Sequence, residues 1–97
     1  MDTILVIEDD RDIAQLLSTA LAMERFIPVV AHDGSAGLRE AQRLLPSLIL
    51  LDLMLPTLDG WEICRRLRAD IQTRRIPAAA MHGAGKPELP PDRRSCH

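Results

Sequence analysis

Short uninterrupted apolar runs alternate along this chain with segments whose apolar residues recur every three or four positions. Ile4-Leu5-Val6-Ile7 and Leu48-Ile49-Leu50-Leu51 are runs of the first kind, the pattern of strands covered on both faces in a parallel sheet. Pro28-Val29-Val30-Ala31 begins with proline, which has no N–H to give a neighbour, so it predicts an edge strand. Between the first two runs, Ile13, Leu16, Leu17, Ala20 and Leu21 fall at helical spacing, with Asp9 or Asp10 placed to cap the helix start. Asp33-Gly34 turns the chain into a second helix carrying Leu38, Ala41 and Leu45, stopped by Pro46. The strand 48–52 follows, then a loop through Pro56 to Gly60. A third helix runs from about Trp61 to Ala69 with Ile63, Cys64 and Leu67 on its inner face, and Ile76-Pro77 opens a fourth strand.

Strands interleaved with helices require right-handed crossovers, so the fold class is α/β, a doubly wound parallel sheet. In the flavodoxin-like order 2-1-3, strands one and three lie side by side at the switch point where ligands bind. Both of those strands end in acid. The first runs into Glu8-Asp9-Asp10 and the third into Asp52. Acids after a strand are commonly helix caps or solvated turn residues, but Asp52 leads into Leu53-Met54-Leu55-Pro56, which is poor turn chemistry. Acids from two neighbouring strands would converge in one crevice, where repulsion raises at least one pKa unless a cation intervenes. An oxygen-only pocket suits a hard divalent ion such as magnesium. It also offers a carboxylate nucleophile of the kind aspartyl-phosphate chemistry uses.

Composition narrows the picture. At 97 residues the chain is at most one small domain. A net charge of -2 gives no reason to expect direct binding to nucleic acid, and Arg65 and Arg66 read as decoration of a solvated helix face. Cys64 and Cys96 make neither a disulfide framework nor a metal-ligand spacing, which points to a reducing cytoplasm. No segment reaches the roughly 18 apolar residues of a membrane span, and the N-terminus has no cleavable-leader pattern, so a soluble cytoplasmic protein without membrane contact is expected.

These segments resemble the receiver domain of two-component response regulators. The resemblance rests on Ile4-Leu5-Val6-Ile7-Glu8-Asp9-Asp10, on Asp33-Gly34 before a helix, on Leu48-Ile49-Leu50-Leu51-Asp52-Leu53-Met54-Leu55-Pro56, and on Asp59-Gly60 opening another helix. It runs from about residue 3 to Pro77. It implies a CheY-like fold, with Asp52 as phosphoacceptor, Glu8 and Asp9 as metal-binding acids, and the Met54 backbone carbonyl as a further magnesium ligand. It also implies a histidine kinase as partner and donor in a phosphorelay, and a phosphoacceptor domain with at most self-catalysed phosphotransfer and dephosphorylation rather than an enzyme. Asp10 reads as a cap or spare charge, His32 as a surface or helix-entry residue, and Trp61 as cover for the start of the third helix. A haloacid-dehalogenase-type hydrolase also uses an aspartate after an apolar strand, but needs a second acid two residues on, where Met54 stands.

Beyond Pro77 the resemblance fails. The family places a hydroxyl residue at the end of the fourth strand, and here His82 occupies that slot. Lys86-Pro87 imitates the family's lysine-proline pair at much too short a spacing, and the segment 83–97 has one large aliphatic, Leu89, among prolines. The expectation is that the last twenty residues stand outside the fold, the product of a shifted reading frame at or just before Ala78, where another frame permits a threonine-alanine pair in the family's register. The domain is accordingly bounded at 1–81, incomplete, with 82–97 an aberrant, disordered tail. The fifth strand and last helices would be missing, leaving Leu16 and Ala20 exposed and the sheet edge open to self-association. The alternative function is a non-switching module that binds a kinase with little phosphotransfer.

Overall fold

A computed structural model describes residues 1–52 and 60–81. Seven elements follow in order: β1 Thr3–Ile7, α1 Arg11–Met23, β2 Ile27–Ala31, α2 Gly34–Leu44, β3 Leu48–Asp52, α3 Gly60–Ala69 and β4 Ala78–Met81. The strands form one parallel sheet in the order β2-β1-β3-β4. β1 is interior, and its Leu5, Val6 and Ile7 are fully buried, which explains an apolar run without alternation. Pro28 lies in β2, an edge among the described strands, opposite Ile4.

Local chemistry sets the helix ends. Asp10 caps α1, its Oδ1 accepting from the backbone N–H of Asp12 at 2.9 Å and of Ile13 at 3.1 Å. At the other end Arg25 takes φ 69°, the N–H of Phe26 donates to the Leu21 carbonyl at 3.0 Å, and that of Arg25 to Ala22 at 3.0 Å. This is the left-handed stop that glycine usually provides. Asp33 caps α2 by accepting from Ala36 N–H at 2.8 Å. α2 lies close on β1 at Gly37, where a Cβ would come within 2.5 Å of Ile7 Cδ1. After α3, the buried Thr73 hydroxyl donates to the Leu67 carbonyl at 2.8 Å. Arg68 donates to the carbonyls of Arg74 and of Ile76, the latter at 2.6 Å, so the turns leading into β4 are strapped to the helix.

Two expectations need correction. Leu45 is not on the inner face of α2. It sits past the helix at φ 48° and is exposed, because the ring of Pro46 denies the preceding residue the right-handed helical region. The segment 78–81 belongs to the fold: Ile49 pairs with Ala78 and Asp52 with Met81, and Ala78, Ala80 and Met81 are buried. Parallel pairing is made by the backbone, and small side chains suffice where α3 and β3 already close the space. In α1 only Ala14 is buried, with Ile13, Leu17 and Leu21 half-buried, while Ala20 is exposed and Leu16 is 70% exposed. Exposure of Leu16 and Ala20 is what the sequence predicts if no further element covers that side. The tail 82–97 lies outside the described residues.

Candidate functional site

The site is a product of strand register. β1 and β3 are neighbours with Ile7 opposite Leu51, so the residues that follow each run, Glu8 and Asp52, emerge side by side at the carboxyl edge of the sheet. Glu8 extends the ladder by donating its N–H to the Ala31 carbonyl at 2.9 Å. Asp9 is the next residue. One carboxylate oxygen from each of Glu8, Asp9 and Asp52 lies within 4.8 Å of the others.

Burial divides these acids. Glu8 is 3% exposed and Asp52 is also buried, whereas Asp9 is exposed. The Glu8 carboxyl is pushed up to about 8, mainly because burial disfavours its charged form. A hydrogen bond shared with Asp52 and the negative charge of Asp52 push the same way, and the Asp10 N–H, donating to Glu8 Oε2 at 3.2 Å, offsets part of it. Near neutral pH a proton therefore stands between Glu8 and Asp52, where a cation would otherwise neutralise the cluster. The donor set is oxygen only, which fits a hard divalent ion.

Among the sequence candidates, Glu8, Asp9 and Asp52 are brought together, and Asp10 is turned into the α1 cap. Met54 and His82 lie outside the described residues. His32 is at the entry to α2, just before its cap Asp33, and it also reaches the site: its Nδ1–H donates to the Glu8 carbonyl at 3.1 Å, which fixes the neutral ring in the Nδ1-protonated form. The signal was present in the spacing. His32 follows the last residue of β2, and β1 and β2 are in register from Thr3↔Ile27 to Ile7↔Ala31, so it must arrive beside Glu8.

A doubly wound parallel sheet with three acids meeting across its two central strands defines a class of phosphoryl-handling α/β domains, and comparison with known proteins makes this specific. Residues 4–87 match the family model of the response regulator receiver domain, and the chain belongs to that family. It is 43% identical over 86 residues to the DNA-binding dual master transcriptional regulator RpaA of Synechocystis, a match covering 89% of this chain and 36% of RpaA. The chain thus spans about a third of the length of the curated relatives it matches. The N-terminal domain of a response regulator receiver protein from Methanoculleus marisnigri superposes with a TM-score of 0.86 at 33% identity, over 95% of this chain and 72% of that one. The receiver domain of the sensor histidine kinase PA1611 from Pseudomonas aeruginosa, solved with a magnesium ion coordinated in its active-site cleft, gives 0.82 at 30% identity, over 98% of this chain and 75% of that one. The flavodoxin-like fold expected from the sequence is what these structures share with the described residues of this chain.

Proposed function

We propose that this domain accepts a phosphoryl group on Asp52 from the phosphohistidine of a histidine kinase. The carrying observation is the convergence of Asp52 with Glu8 and Asp9 across two strands. An Asp52 oxygen attacks phosphorus as the phosphorus–nitrogen bond to the kinase imidazole breaks, and the electron pair leaves with the ring nitrogen. Glu8, Asp9, Asp52 and the Met54 backbone carbonyl would hold a magnesium ion, whose charge would offset that of the phosphoryl oxygens. The chain's own contribution is to position the nucleophile, to hold Glu8 buried beside it, and to release the Glu8 proton when the cation binds. Turnover is limited to self-catalysed transfer and dephosphorylation.

The folded unit in this reading is 1–81, with 82–97 outside it, although the family match continues to residue 87. His82 in place of a hydroxyl residue removes a charge-assisted contact worth roughly 1.5 to 3 kcal/mol, or about tenfold to a hundredfold in rate. RpaA and MtrA are DNA-binding regulators about three times as long. In this chain, with net charge -2, we assign no DNA contact to the receiver itself. No helix among the described residues is long and apolar enough to cross a membrane, and a cytoplasmic setting fits a kinase donor. β4 is an edge among the described strands, and that edge would be the place for self-association by strand pairing. The second reading, a kinase-binding module without transfer, is favoured by the residue at 82 and is separated by one assay.

Incubation with a small-molecule phosphodonor and magnesium should add one phosphoryl mass to the intact protein. Asp52→Asn should abolish the gain and Asp10→Asn should keep it. A gain that survives Asp52→Asn means another acceptor, and no gain in folded protein leaves only the binding module.

A further inference from the structure

Between Arg65 and Arg75 the chain carries five arginines and a single carboxylate, Asp70. That carboxylate is already engaged, accepting from the N–H of Gln72 at 2.8 Å and from the Gln42 amide of α2 at 3.1 Å. Glu62, a turn earlier, is shared by Arg65 and Arg66, the latter at 3.1 Å. Arg74 and Arg75 are exposed, and no carboxylate among the described residues pairs with them. Arg68 is half-buried between them and the helix. Its two terminal nitrogens meet only the carbonyls of Arg74 and Ile76, its Nε is buried without a partner, and burial pushes its pKa down. Arg66 and Arg68 lie in the last turn of α3, where cations complement the helix dipole. That account does not reach Arg74 and Arg75, which follow the helix.

An apolar side chain stands within this basic surface. Ile71 is 74% exposed on a turn whose backbone Asp70 and Thr73 hold in place. Arginines around an exposed large aliphatic group are the composition of a protein-binding surface. Nucleic acid is a poorer fit, since no aromatic residue lies between Arg65 and Arg75 to stack on bases, and phosphates would leave Ile71 in water. We infer that the end of α3 and the turns before β4 form a docking surface for an acidic amphipathic segment of a partner protein, with carboxylates meeting Arg74 and Arg75 and an apolar side chain covering Ile71. The surface lies at the amino end of β4, opposite the carboxyl edge that carries Glu8, Asp9 and Asp52, so both can be occupied at once.

The test is fluorescence anisotropy of the full chain with a fluorescein-labelled peptide, Glu-Glu-Leu-Asp-Glu-Leu-Glu-Glu, and with an oligothymidylate of equal charge. The peptide should bind more tightly than the oligonucleotide, and binding should weaken as salt rises. The double variant Arg74→Glu, Arg75→Glu should weaken it by about tenfold, and Ile71→Ser by about threefold, with Arg11→Glu on the opposite edge unchanged. Arg74 acts in the fold through its carbonyl, so these variants should melt as the parent does, and the salt series on the parent needs no variant. Tighter binding of the oligonucleotide, loss by Arg11→Glu equal to that of the double variant, or salt-sensitive association of the chain with itself in place of peptide binding would each overturn the proposal.

Discussion

Glu8 is buried beside another acid and holds its proton to about pH 8, against an ordinary value of 4.5. The unfolded chain gives up that proton near 4.5, so between pH 4.5 and 8 the folded state binds more protons than the unfolded one. Stability contributed at this site therefore falls as pH rises through that window. A shift of this size limits the loss to about 5 kcal/mol, and solvent reaching the cluster at Asp9 reduces it, so roughly 2 kcal/mol is expected. Chemical denaturation without divalent cations should show Glu8→Gln more stable than the parent at pH 9 and little different at pH 4. A variant no more stable at pH 9 would contradict the burial of Glu8 beside Asp52. The four acids were legible in the sequence because each follows an apolar run. Their division was expected as well, with Glu8 and Asp9 as metal-binding acids and Asp10 as a cap. The burial of Glu8 beside an exposed Asp9, and the reach of His32 to the Glu8 carbonyl, were not legible, because they depend on cross-strand register.

At the level of elements, two substitutions of opposite sign test how the helices are held. Gly37→Ala places a methyl against Ile7, a fully buried side chain, and should cost about 1 to 3 kcal/mol as α2 is forced from β1. Arg25→Gly relieves the left-handed stop of α1 and should stabilise by roughly 0.5 to 1 kcal/mol, after the entropy glycine adds to the unfolded chain. Urea denaturation should give both differences with an unchanged slope. β1, β2, β3 and the three helices could be read from periodicity and caps. β4 could not be read to its end, since Ala78-Ala79-Ala80-Met81 carries little strand preference and is held by pairing with β3 and by packing under α3. Leu45 was misread for the opposite reason, because a helical spacing continued one residue past what Pro46 permits.

For the whole molecule, the informative observation is apolar surface on one side. Leu16 is 70% and Met23 77% exposed, and Ala20 between them is exposed as well. Solved receiver domains that superpose on this chain extend beyond it, which covers 72% of one and 75% of another. Each uncovered large aliphatic forgoes roughly 1.5 to 3 kcal/mol, against a total of about 5 to 15 kcal/mol for a small domain. The isolated chain should therefore bind hydrophobic dyes and exchange its α1 amides faster than those of β1 and β3. Slow exchange throughout α1 with a sharp cooperative melt would contradict this. The class of fold was legible because strand and helix periods alternate so plainly from residue 3 to Pro77. The pairing of Ala78–Met81 with β3 was not, because a composition poor in large aliphatics does not mark out the strand that Ile76-Pro77 opens.

The central claim is that Glu8, Asp9 and Asp52 act as one divalent-cation site that prepares Asp52 as an acceptor. Calorimetric titration of magnesium at neutral pH, in buffers of different ionisation enthalpy, tests it most directly, because binding and proton release are read together. One ion should bind, with release approaching one proton from Glu8. Binding should be lost in Asp9→Asn and Asp52→Asn and kept in Asp10→Asn. Folded protein that gives no binding heat, or binding that Asp52→Asn leaves unchanged, would contradict the account.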